Sequence, residues 1–144
     1  MKNSSTVCID ASLVIRFTIS PDDAALKLLW SSWSKQGTRL VAPTLLYYDV
    51  TNGLHRLQKA GVLKPDFVRE ALEIALALPV ELIGDGDLHR TARELAARYN
   101  LPTTYDAHYL ALAERLGVDL WTVDARLVKT LQSFGVEWVK LPAA

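Results

Sequence analysis

The sequence predicts one α/β domain spanning residues 1–144, with a mostly parallel sheet and helices on both faces. Two observations carry this. Short apolar runs alternate with helical patterns of about ten residues or more, and connections of that kind are crossovers between parallel strands. No internal repeat, low-complexity tract or linker divides the 144 residues, a length in the commonest single-domain range.

The elements follow in order. STVCI at 5–9 is a strand that breaks at Asp10, and a short helix follows around 12–17. Pro21-Asp22-Asp23 opens a helix to about Lys35, with acids at the end where the helix dipole favours them, and Gly37 punctuates it. TRLV at 38–41 is the second strand. Pro43 then begins a helix to about Ala60, closed by Gly61. Pro65-Asp66 opens a helix over 65–77, PVELI at 79–83 is a strand, and GDGDL turns into a helix over 87–99. After Asn100-Leu101-Pro102 a helix runs from Thr104 to Leu116. Gly117 leads into the strand DLWTV, Asp124 opens a helix to about Phe134, and VEWV is the last strand.

Composition narrows the function classes. Lys plus Arg and Asp plus Glu each total 16, so the net charge is zero and binding of nucleic acid by blanket electrostatics is disfavoured. Cys8 is the only cysteine, so it forms neither an internal disulfide nor a thiolate cage, and reads as a small buried hydrophobe. The first apolar run is too short for a secretory signal, and nothing approaches the ~18 apolar residues a membrane span needs. The expected location is the cytoplasm.

Four aspartates stand out. Asp10 and Asp124 end strands, Asp106 opens a helix, and Asp49 projects from a helix interior in LLYYDVTNGL. Open parallel sheets form sites at the carboxyl ends of their strands. Singly, Asp10 and Asp124 read as N-caps, and Asp106 as the acid of a capping box with Thr103. Asp49 has no orphan N–H to cap; its plain alternatives are exposure to solvent or an indirect pairing with Arg56. Together, four carboxylates repel one another unless a hard cation neutralises them, and oxygen-only ligation suits Mg²⁺ or Mn²⁺. Such a set serves metal-dependent hydrolysis of phosphodiesters.

Competing motifs are missing. His55, His89 and His108 have no metal-ligand spacing, GDGD lacks the lysine of a phosphate loop, and no serine lies in GxSxG. Ser12 and Thr122 either hold a carboxylate or metal-bound water, or simply start helices. Asn52 lies within helical reach of Asp49. Trp30 and Trp33, three apart, read as core packing or as an interface strip.

VCIDAS, APTLLYYDVTNGLHRL and TYDAHYLALAERLGVDLWTVDARL, in this order and spacing, make the chain resemble a PIN-domain protein across nearly its whole length. In particular it is similar to the VapC-type ribonuclease toxins of type II toxin–antitoxin pairs. The resemblance implies a parallel sheet of four or five strands and an acidic pocket binding Mg²⁺ or Mn²⁺. It also implies endoribonuclease activity on single-stranded RNA by water attack, leaving 5′-phosphate and 3′-hydroxyl ends. Asp10 and Asp106 would be the principal metal ligands, with Asp49 and Asp124 binding directly or through water. The implied partners are an RNA substrate, a VapB-type antitoxin and a second copy in a homodimer. One departure stands out: the family's second acid is usually glutamate, whereas Asp49 keeps the charge with a shorter reach. The alternative function is a PIN-like domain that binds RNA or protein without cutting. A non-nuclease Mg²⁺ phosphatase is disfavoured because Ala11 and Ser12 follow Asp10 where a DxD would stand.

Overall fold

The computed structural model describes residues 5–143. The chain runs β1 (Thr6–Ile9), α1 (Ala11–Ile19), α2 (Ala24–Gln36), β2 (Arg39–Pro43), α3 (Leu46–Lys59) and α4 (Pro65–Leu76). It continues through β3 (Val80–Ile83), α5 (Gly86–Arg98), α6 (Tyr105–Leu116), β4 (Leu120–Trp121), α7 (Ala125–Gln132) and β5 (Val139–Lys140). The five strands described form one sheet in the order β3-β2-β1-β4-β5, and every pairing is parallel. From β1 the chain steps outward to β2 and β3, then crosses back to β4 and β5. The order therefore reverses between β1 and β4, where Cys8 pairs with Leu120 and Ile9 with Trp121. That reversal opens a crevice at the carboxyl ends of these strands, where α/β sheets hold their ligands.

Successive strand residues point to opposite faces, and all four residues of β1 are buried, so helices cover both sides. Leu13 and Val14 of α1 pack with Leu46, Val50 and Leu54 of α3, and α4 joins them. Helix α6 packs on α5, β1, β2 and β4. Its residues Ala107 and Tyr109 to Ala113 are all buried, and small alanines let its backbone approach the sheet closely. Trp33 is buried and Trp30 partly so; the rings of Phe17, Trp30, Trp33 and Trp121 form a continuous aromatic run, with centroids 4.1, 5.2 and 5.9 Å apart. Core packing is therefore the role of this pair. No helix of the described residues is long and apolar enough to cross a membrane.

The structure corrects some boundaries. Pro43 does not begin α3: it ends β2, opposite Ile83, and the helix starts three residues later. A strand end tolerates proline because little of the ladder lies beyond it. Strand β4 is two residues rather than five, since the chain bends at Val123 into α7, which Asp124 caps. The last strand is Val139–Lys140 rather than VEWV. Gly135, at φ 80°, and the bond from the Val136 N–H to the Leu131 carbonyl use up residues in closing α7.

Candidate active site

Asp10 is the innermost of the four acids, only 4% exposed where β1 meets α1. Its Oδ1 accepts the Leu13 N–H at 3.0 Å, capping α1, and the Ser12 hydroxyl at 2.7 Å. Ser12 reaches further: its oxygen accepts the Val123 N–H at 3.2 Å and lies 3.1 Å from the Thr122 hydroxyl. The loops leaving β1 and β4 are thereby tied across the switch point. Both readings of Ser12 and Thr122 converge, since Thr122 also accepts the Asp124 N–H at 3.0 Å. Burial pushes the Asp10 carboxyl up to about 6, and the charge of Asp106 adds to this. Bonds from Thr122, the Leu13 N–H and Ser12 pull the other way.

Asp124 caps α7, its Oδ1 accepting the Leu127 N–H at 3.1 Å. The cap does not exclude a second role, because a carboxylate has several lone-pair sites. Asp106 makes no capping box with Thr103; α6 starts after Thr104 with no side-chain cap. Its carboxyl is raised by burial, then by the charges of Asp124 and Asp49. Since Asp10 also feels Asp106, one carboxylate lies within electrostatic reach of the other three.

Asp49 faces the buried side chain of Tyr109, whose hydroxyl donates to its Oδ2 at 2.8 Å. Burial raises the Asp49 carboxyl, while this bond and nearby His108 lower it. Its partner is Tyr109, rather than Asn52 or Arg56. The sequence offers one sign of Tyr109: its place three residues after Asp106 puts its polar tip on the same side of α6. Two of the histidines, which share no ligand spacing in sequence, meet in space: His89 Nδ1 lies 2.9 Å from His108 Nε2.

The donor set is all oxygen, and among the described residues no ion pair joins any of the four acids to lysine or arginine. That chemistry fits a hard divalent cation. As placed, no three His, Cys, Asp or Glu side chains of the described residues stand close enough to hold an ion by themselves.

The PIN domain family model matches residues 7–130, which include all four acids. A protein of Pyrobaculum aerophilum named Ribonuclease VapC3 is 33% identical over 98 residues, 65% of this chain and 72% of that protein. A Mycobacterium tuberculosis protein, also named Ribonuclease VapC3, is 36% identical over 96 residues, 67% of this chain and 68% of its own. Among solved structures, PAE2754 of Pyrobaculum aerophilum superposes with TM-score 0.66 at 20% identity, covering 98% of this chain and 92% of the other. VapC20 of Mycobacterium tuberculosis, described as a sarcin-ricin loop cleaving toxin, gives 0.63 at 18% identity, covering 93% and 98%. These two share the fold. The family match takes in the switch point and the carboxylates around it, and the chain belongs to the PIN-domain family.

Proposed function

We propose that this chain is an endoribonuclease dependent on Mg²⁺ or Mn²⁺, acting as the toxin of a toxin–antitoxin pair. The observation that carries the reading is the gathering of Asp10, Asp49 and Asp124 around Asp106 at the sheet's switch point, with no lysine or arginine ion-paired to any of them among the described residues. The names of the VapC relatives support RNA as the substrate. A VapB-type antitoxin and a homodimer belong to the same proposal.

Asp10 and Asp106 would hold the cation, with Asp49 and Asp124 completing its surroundings directly or through water. A bound divalent cation supplies charge neutralisation and polarisation of the phosphodiester and the attacking water. The chain's own part is to keep the carboxylates in place. Ser12 and the Leu13 N–H fix Asp10 through its Oδ1, the Leu127 N–H fixes Asp124, and Tyr109 fixes Asp49.

The purified chain, free of antitoxin, cleaves RNA in Mg²⁺ or Mn²⁺, and Asp10→Asn or Asp106→Asn abolishes cleavage. Cleavage that survives both substitutions, or continues in excess chelator, overturns the mechanism. A second reading, a PIN domain that binds RNA without cutting, draws on the spread of the acids, no three of which enclose an ion. It predicts RNA binding with no cleavage in any divalent cation.

A further inference from the structure

A second concavity lies along the same edge of the sheet. It sits at the carboxyl ends of β2 and β3, has a volume of about 260 Å³, and is lined by Pro43, Tyr48, Leu88, His89, Tyr105 and His108. Tyr48 precedes Asp49 and Tyr105 precedes Asp106, so two elements that supply carboxylates also supply its aromatic walls. These rings are 78% and 59% exposed, unusual for large amphipathic rings with no protein neighbour to cover them. Its volume is below that of drug-sized pockets and suits one flat heterocycle.

The polar end of the cavity is formed by two linked imidazoles. The Thr104 carbonyl can only accept, so His108 Nδ1, 2.6 Å away, carries a proton and donates it. His89 Nδ1 lies 2.9 Å from His108 Nε2, so the two rings share one hydrogen bond. The rings meet edge to face, with centroids 5.0 Å apart at 72°. His89 Nε2 is left with no protein partner among the described residues, free to hydrogen-bond a ligand. Gly84 helps shape the floor: a Cβ there would stand 2.7 Å from Thr44 Oγ1.

We infer that this cavity is a subsite for an unpaired nucleobase of the RNA whose phosphodiester lies at the neighbouring carboxylates, with Tyr48 and Tyr105 as stacking surfaces and His89 on the base edge. The inference rests on the proposed nuclease reading for the identity of the polymer. Stacking on aromatic side chains needs a base outside a duplex and tolerates any base. It also answers a difficulty set by composition. A chain of zero net charge has little general attraction for phosphate, so base stacking takes a larger share of binding.

The test compares steady-state cleavage of random-sequence single-stranded RNA by the full chain and by Tyr48→Ala, Tyr105→Ala, Tyr48→Phe and Tyr105→Phe variants. The alanine variants raise KM roughly tenfold with little change in kcat, and the phenylalanine variants stay within about twofold of wild type. In parallel, ultraviolet cross-linking of the same RNA, read by mass spectrometry, places adducts on Tyr48, Tyr105 or His89 and requires no turnover. Unchanged KM in both alanine variants, or adducts confined to other peptides, overturns the subsite. A cavity that receives a partner protein instead gives both of those results. If the wild-type chain cleaves nothing in any divalent cation, the nuclease reading fails and the cross-link map alone decides the subsite.

Discussion

Asp49 shows how one side chain is fixed by its surroundings rather than by its own helix. An aspartate on an otherwise apolar helix face needs a partner, and the buried hydroxyl of Tyr109 supplies it at 2.8 Å. Burial pushes the Tyr109 phenol well above its ordinary range, and the neighbouring Asp49 carboxylate adds to this. Tyr109 therefore stays a neutral donor and acts as a positioning residue for the acid. Tyr109→Phe keeps the packing and removes the bond. We expect a loss of about 1–2 kcal/mol in denaturant unfolding, and a fall of roughly 10- to 100-fold in cation affinity or RNA cleavage. An equal stability loss with unchanged cation affinity would make the bond purely structural. Asp49→Glu beside Asp49→Ala then reports whether reach or charge matters at this position.

At the scale of elements, two strand–helix junctions carry two of the four acids of the proposed site. Asp10 and Asp124 each cap a helix and each belong to the acidic set, which is why their sequence context alone left both roles open. The alternation of strands and helices was legible because each run has a clear periodicity and stop residues, as in STVCI before Asp10. Boundaries set by tertiary contact were not. Pro43 looks like a helix start until β3 is seen beside it, and two-residue β4 owes its length to the bend at Val123. The pairing of His89 with His108 joins α5 to α6 across 19 residues, beyond any local pattern. Gly84 gives an element-scale prediction, because an added methyl would meet Thr44 Oγ1 at 2.7 Å and Cγ2 at 2.9 Å. Gly84→Ala should destabilise the chain by about 1–3 kcal/mol in chemical denaturation, as the Thr44 turn is forced aside. A change within a few tenths of a kcal/mol would show that this turn yields freely.

For the whole molecule, burying three of these acids costs stability at neutral pH. Asp10, Asp49 and Asp106 all have carboxyls raised by burial. A raised acid binds more protons in the folded state than in the unfolded one, so its contribution is fully present below the unfolded value. It is lost as pH rises through the folded value, which for Asp10 is about 6. Cation-free protein should therefore lose stability between about pH 4 and pH 7, with Asp10 alone contributing on the order of 3 kcal/mol. Denaturant titrations across this range check the slope, and Asp10→Asn should flatten it. A stability that rises over the same window would contradict the burial of Asp10. The proposed cation reverses the loss, because binding to the folded state alone adds stability by mass action.

The most direct measurement is calorimetric titration of Mn²⁺ into the purified, chelator-stripped chain near neutral pH, beside Asp106→Asn. Asp106 couples to all three other acids, so its neutralisation should weaken binding roughly tenfold or more while the variant remains folded. Saturable binding in wild type that is lost in the variant is the predicted result. Equal binding by both proteins, or none by wild type, would contradict a cation site built around Asp106.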